Sequence, residues 1–334
     1  MIQNEKILKE GTDAELRLQR HAISRAKRRA LESITPENSH PQRQSLLFTL
    51  LPSEIRNLIF MYAVCQDYNT SATLSRDSHR GRPGHRHNAC IDTALLRTCR
   101  LIYYETRSIP PGSTTHHMWE APSESFNPRD WDHYLFHLSN QIGRDLYHLH
   151  VTKWTQPFIF SWYLRDHLHW KKLTWTLCAS EWNYHGMRGQ YFDVSETLQN
   201  TTFPNTCHEV TIEFESLTSF EFQRMILRDC AEKCKNIHLT RQDGTALEID
   251  AEKSVEYTWE GKTFKPPVPG ADSYAGSYVA AIYHVIRLCW RDKVPEREYM
   301  RYDRLDCLRG DEVHFMTQDE IEKDVEVVRR IWTE

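Results

Sequence analysis

The sequence is poor in glycine, with twelve in 334 residues, about half the usual frequency. Phosphate cradles need clustered glycines, because only backbone without side chains lets phosphate oxygens approach several N–H groups at once. Neither a Gly-x-Gly-x-x-Gly run nor a P-loop occurs, and the Gly-x-Ser-x-Gly nucleophile elbow is missing as well. Long apolar runs are also lacking. The best of them, residues 278–290, is broken by His284 and Arg287 and is too short and too polar to span a bilayer. Nor is there an excess of one charge: 46 acidic against 42 basic residues leave a net −4. No global field therefore draws the chain to nucleic acid or to an anionic membrane. Met1 to Lys6 form no apolar stretch of secretory type, and the nine cysteines are odd in number. Reduced thiols in an intracellular setting, cytoplasmic or nuclear, are expected.

Local signatures of chemistry fail one by one. His208-Glu209 opens like a zincin motif, but Ile212 stands where the second His must be. His79, His85, His87 and Cys90 match no zinc-finger spacing. Cys230 and Cys234 fall at i and i+4 of a helical segment with His238 just beyond, and read more simply as buried thiols. His148 and His150 alternate with Leu149 and Val151, which places them on the opposite face of a strand, at surface or helix-covered positions. No catalytic residue, metal or cofactor is assigned, and no enzymatic activity is expected.

What the sequence does have is 40% hydrophobic and 26% charged residues, a globular composition with enough length for one large domain or two smaller ones. Two apolar-periodic segments stand out near the front. In the first, Leu51, Ile55, Leu58, Ile59 and Tyr62 share one face of a helix, and Pro52 suits its first turn, where a missing N–H costs nothing. In the second, Leu95, Cys99, Ile102, Tyr103 and Thr106 repeat the spacing. Glu54 and Arg56 flank the first stripe, and Glu105 and Arg107 flank the second. Side-by-side antiparallel packing would bring like flanks together, so a steep crossing or ion-pair partners elsewhere in the chain are expected. Phe60 and Val64, on the reverse face of the first helix, are expected to be buried under later parts of the chain.

The run Leu51-Pro52-Ser53-Glu54-Ile55-Arg56-Asn57-Leu58-Ile59-Phe60 resembles the first helix of an F-box, and Leu95-Leu96-Arg97-Thr98-Cys99-Arg100 the start of its later helix. With Glu105-Thr106-Arg107 supplying a second Glu-x-Arg, the pattern is most similar to F-box-like proteins of filamentous fungi. The resemblance covers residues 47–109. It implies a protein-docking module for a Skp1-like adaptor of a cullin ubiquitin ligase, carried by Leu51, Pro52, Glu54, Ile55, Arg56, Leu58, Ile59, Phe60, Leu96, Cys99, Arg100, Glu105 and Arg107. The chain departs from the family in two ways. A polar segment separates the halves, and Leu101-Ile102 follow Cys99-Arg100 where Trp is usual.

Around this module the pattern predicts three regions. Residues 1–46 form a peripheral helix over about 13–32, opened by the capping-box pattern Thr12-x-x-Glu15, and then a linker. Arg25, Lys27, Arg28 and Arg29 read as a charged helix face or, alternatively, a nuclear-import signal. Residues 66–91, inside the module of 47–110, read as a loop. Residues 111–334 alternate short strands, led by Leu149, Leu173, Val210 and Ile237, with helical stretches near 131–143, 157–167, 195–199 and 219–234. The expected fold is α/β, with α+β as the other option, in an irregular strand–helix array of leucine-rich-repeat type. Residues 246–250 and 255–264 suggest a hairpin or an edge addition, 273–290 a long helix, and Thr317-x-x-Glu320 the capping box of a last helix. The function implied is a non-enzymatic interaction protein. An enzyme without a local motif and a nuclear regulatory scaffold are the alternatives.

Overall fold

The computed structural model describes residues 13–73, 82–83, 87–120, 138, 140–153, 160–178, 193–265, 277–292 and 313–333. They divide into two compact units: Met1–Cys65 with Asp92–Ile109, and Gln66–Ile91 with Pro110–Glu334.

The first unit is helical. Helix α1 (Asp13–Glu32) is followed by a single turn, Leu46–Thr49, then α2 (Ser53–Val64) and α3 (Arg100–Thr106). Pro52 caps α2 with φ −54°, and its carbonyl accepts the first helical bond from Arg56 N. The second apolar segment is not one helix. A 3-10 turn at Leu95–Arg97 ends before Cys99, whose extended backbone caps α3. The expected linker after α1 is a tied turn. Asn38 accepts from Thr35 N and donates to the Ser33 carbonyl, Ser39 donates to the Thr35 carbonyl, and Ile34 is buried.

The second unit holds a two-stranded ribbon and a curled ten-stranded mixed sheet. The ribbon pairs β1 (Gln66–Thr73) with β2 (His87–Ile91), antiparallel from Gln66↔Ile91 inward. Strands thus stand at both ends of the stretch 66–91, where a loop was expected; His79 and His85 lie outside the described residues. The large sheet contains β3 (Thr115–Glu120), β4 (Leu146–Lys153), β5 (Trp170–Cys178), β6 (Thr202–Phe203), β7 (Glu209–Leu217), β8 (Leu239–Arg241), β9 (Ala246–Ile249), β10 (Glu256–Lys265), β11 (Ser277–Arg291) and β12 (Val313–Phe315). Their order is β3-β4-β5-β7-β11-β9-β8-β6, with β10 paired to β11 and β12. Strands β3, β4, β5 and β7 run parallel, as strands joined by crossovers must. Helix α4 (Glu221–Lys235) follows β7, and α5 (Gln318–Thr333) closes the chain. At the start of α5, Thr317 and Glu320 exchange capping bonds, N to Oε2 at 2.8 Å and Glu320 N to Oγ1 at 3.4 Å. That is the box read from sequence; the side chains of its last turns lie outside the described residues.

Two expectations fail here. The helix expected over 273–290 is β11, the longest strand of the sheet. Its apolar set fits a helix, but Tyr283 to Trp290 are buried on both faces, and a two-faced buried strand shows no alternation to betray it. Of the two readings of 246–264 the hairpin also fails, because β9 and β10 do not pair with each other and each is added along β11 instead. The mixed α/β class holds, but the repeat does not: β11, antiparallel, takes the place beside β7, while β8 pairs with β6 and β9.

One face of the sheet is apolar. Leu149, Val151, Leu173, Trp175, Leu177, Val210, Ile212, Phe214, Ile286, Leu288 and Trp290 form a core with Leu227, Cys230, Ala231 and Cys234 of α4. A hydrogen bond with Cys230 pushes the Cys234 thiol up, and burial adds to it; these two are the buried thiols expected. Backbone passes closely at the base of β4, where His169 N donates to the Gly143 carbonyl at 2.7 Å. A β-carbon on Gly143 would stand 2.2 Å from the His167 carbonyl oxygen, which backbone on both sides cannot relieve. Gly143→Ala is expected to lower stability by about 1–3 kcal/mol, read from the shift of the urea midpoint at unchanged slope.

Candidate functional site

Two arrangements in the molecule bring together groups that chemistry or recognition could use. The first is the helical module. Arg56 of α2 grips Glu105 of α3 with both arms of its fork, Nε to Oε2 at 3.3 Å and Nη2 to Oε1 at 3.0 Å. Its third nitrogen donates to the Leu51 carbonyl at 2.9 Å, and the guanidinium lies 5.2 Å from the Phe48 ring centre. The two Glu-x-Arg pairs therefore meet with opposite charges facing, through Arg56 and Glu105, where a steep crossing or ion-pair partners elsewhere in the chain were expected. A half-buried bidentate pair of this kind contributes about 1 kcal/mol and fixes a geometry. Arg107 donates to the Leu31 and Ile34 carbonyls and stacks on Tyr104, while Arg100 reaches the Asn38 carbonyl. Three arginines of the motif thus hold the unit together.

The apolar residues of α2 sort in an unexpected way. Ile55, Leu58, Ile59 and Tyr62 are 44, 49, 43 and 61% exposed, whereas Phe60 and Val64 are 1 and 0% exposed. The apolar stripe read from the sequence is the open face, and on the reverse face Phe60 and Val64 are buried, as expected. Phe60 is therefore separated from the other expected docking residues. Glu54 and Pro52 are exposed at the helix start, Leu51, Leu96 and Cys99 are half-buried, and Leu46 and Leu50 add exposed apolar surface that the sequence pattern had not singled out.

The second arrangement is the other face of the large sheet, and sequence reasoning missed it. Period-two alternation along β7 puts Glu209, Thr211, Glu213 and Glu215 on one side, and all four are buried. Each carboxylate has its own cations. Glu209 is met by Lys172 Nζ at 2.6 Å, Lys253 Nζ at 3.2 Å and Arg291 Nε at 3.4 Å. Glu213 is met by Arg287 Nη1 at 3.3 Å. Arg82, from between β1 and β2, engages Glu215 with both terminal nitrogens, one of them at 2.7 Å. Hydroxyls complete the row. Thr176 donates to Glu213 at 2.5 Å, so the His150 Nε2 that meets the same hydroxyl at 2.8 Å is the donor. His148 bridges the hydroxyls of Thr115 and Thr174 at 3.0 and 2.9 Å. His148 and His150 do lie opposite Leu149 and Val151, but they are buried among polar groups and not at the surface.

On the apolar face, α4 contributes a third ion cluster. Arg228 donates to both oxygens of Glu256 at 2.9 Å and to Asp324 at 2.9 Å, and His284 Nε2 lies 3.1 Å from Glu256. Burial pushes the Glu256 carboxyl up, but hydrogen bonds from His284 and Arg228 outweigh it and hold the group at about 2. Burial alone pushes the His116 imidazole below its ordinary value, against the opposing hydrogen bond to the Pro111 carbonyl. These carboxylates are neutralised by arginine and lysine, which leaves them little for a metal. Among the described residues no group of three or more His, Cys, Asp and Glu side chains could hold one, and no helix is long and apolar enough to cross a membrane.

Comparison of the chain with family models, curated proteins and solved structures found no match.

Two outcomes follow from the buried row. Arg287→Met leaves Glu213 buried without its cation and is expected to cost about 3–5 kcal/mol in urea unfolding, most of it recovered in the pair Arg287→Met/Glu213→Gln, because a buried ion pair and an apolar–amide pair are close in energy. Acid should act twice, with the same sign. His116 takes up its proton less readily folded than at its unfolded 6.5, so stability falls as pH drops below that value. Glu256, about 2 folded against 4.5 unfolded, gives stability that is whole above 4.5 and is lost as pH falls towards 2. Thermal melts across pH should show His116→Leu reducing the first slope and Glu256→Gln the second.

Proposed function

We propose that this chain is a non-enzymatic protein–protein interaction protein of F-box-like type. In this reading α2 docks a Skp1-like adaptor, and the chain acts as the substrate receptor of a cullin ubiquitin ligase. The observation that carries the reading is the open apolar face of α2, where Ile55, Leu58, Ile59 and Tyr62 stand exposed on one helix. An amphipathic helix that shows its apolar face to solvent is the form in which helices are laid into partner grooves, anchored at i, i+3, i+4 and i+7. The four residues follow that spacing. At half exposure each has about 1 kcal/mol still to gain from burial, roughly 4 kcal/mol together, which is a sizeable part of a micromolar affinity.

Internal ion pairs support the same division of labour. Arg56 and Glu105 face each other inside the unit, and Arg100 and Arg107 are bound to its own carbonyls. These charged residues shape the module, and the aliphatic ones are left for the partner. The enzyme reading has less support: the buried glutamates of β7 are paired with cations or hydroxyls of the same unit, and paired groups do not offer a proton or a nucleophile readily.

Co-purification of the chain with a Skp1-like adaptor tests the proposal. The wild-type chain should retain the adaptor. Ile55→Asp/Leu58→Asp should fold normally, since both side chains already face solvent, and should weaken retention about 100-fold or more. Phe60→Ala should lower stability by about 3–5 kcal/mol. Failure of the wild-type chain to bind any adaptor, or full retention by the double variant, rejects this reading.

A further inference from the structure

Three of the cations that neutralise β7 are carried by neighbouring strands: Lys172 on β5, and Arg287 and Arg291 on β11. A fourth, Lys253, sits in the turn before β10. Arg82 differs. It comes from the excursion between β1 and β2, and the sheet ladder does not place it. Its receptor, by contrast, is built entirely from the sheet. Glu215 of β7 is buried and accepts from Trp259 Nε1 at 3.2 Å and Cys178 Sγ at 3.2 Å. Trp259 of β10 stacks on Tyr283 of β11, with rings 4.3 Å apart and 9° from parallel, and turns a ring towards the guanidinium at 5.2 Å. Gly261 permits this pose, because a β-carbon there would stand 2.3 Å from the Trp259 ring. A carboxylate fork beside an aromatic face fits a planar guanidinium and fits a compact ammonium poorly.

We propose that this end of the enclosed face is an arginine socket, filled in cis by Arg82, and that an arginine of a second polypeptide can take the same place. The socket is a recognition site separate from the α2 face, and it concerns the second unit alone. With Arg82 removed, Glu215 becomes a buried carboxylate whose hydrogen-bond donors persist but whose charge is uncompensated, and such a group draws in the cation that fits it. Arg82 Nε has no acceptor among the described residues, so the cis occupant uses the socket's fork and ring face and leaves one donor of its own unmet.

The test is chemical rescue in the full chain. Arg82→Ala is expected to melt about 5–10 °C below wild type. Methylguanidinium at ~10 mM, far below denaturing levels, should recover part of that loss, and methylammonium at the same concentration should recover little. A short acetylated peptide containing one arginine should act like methylguanidinium, and the same peptide with citrulline should not. Arg82→Ala/Glu215→Gln should show no guanidinium-specific response. Equal effects of both small cations, or equal rescue of the double variant, overturns the socket. Rescue by methylguanidinium without any effect of the arginine peptide overturns the trans half alone. If Arg82→Ala is insoluble, the same comparisons are made on the soluble yield after refolding with each additive, and equal yields overturn the proposal.

Discussion

Three carboxylates in a row on β7 constrain the large sheet more than any other feature. Glu209, Glu213 and Glu215 are all buried, and a buried charge left unpaired costs several kcal/mol. Each therefore requires a cation at hydrogen-bond distance, and those cations come from β5, β11, the turn before β10 and the β1–β2 excursion. Strand period does the rest. Sliding β7 by one residue would press the carboxylates into the apolar core under α4 and turn Val210, Ile212 and Phe214 towards lysine and arginine. Replacing such pairs with apolar residues is often close to neutral in energy, so the row specifies register more than it adds stability. It is also why β11, with Arg287 and Arg291 on the required face, must stand next to β7.

The two units put their polar groups to different uses. In the second unit polar side chains are enclosed and matched to one another, through His150 to Thr176 to Glu213 and through Lys172 to Glu209. In the first unit charged side chains are matched internally, but a set of aliphatic and aromatic side chains on α2 is left open. Recognition by burial of apolar surface is thus available only where apolar surface is exposed. The enclosed face has a different resource, which is fit to a planar cation.

How much of this the sequence disclosed depends on the signal each residue gives. β4, β5 and β7 were legible because their apolar face alternates with polar side chains. α4 was legible from its 3.6-residue stripe, and α5 from a capping box whose two bonds are made. β11 was not, since burial on both faces erases alternation and its fifteen residues exceed the usual strand length. The glutamates of β7 misled for a related reason: a strand reading Glu-x-Thr-x-Glu-x-Glu looks half-solvated, and the partners that bury it lie 37 to 133 residues away in sequence. On α2 the periodicity was right, and Phe60 and Val64 are buried as expected, but the stripe itself stands open. Ile55, Leu58 and Ile59 mark an apolar face equally well whether it meets the chain's own core or another molecule. Only the burial of Phe60 and Val64 tells the two apart.

The excursion from Gln66 to Ile91 ties these points together. In sequence it splits the helical module, but Gln66 pairs with Ile91 at its base, so the chain leaves and returns at one place and α2 can still meet α3. Closing the excursion at its root makes its length nearly free in entropy, since loop cost grows only with the logarithm of length. What lies beyond the root can then be chosen for another purpose. Arg82 sits there, 133 residues before the glutamate it neutralises, and its burial makes the excursion part of the sheet unit and not an appendage of the helices. A polar insertion that looks like solvated loop in the sequence therefore supplies the cation that neutralises Glu215.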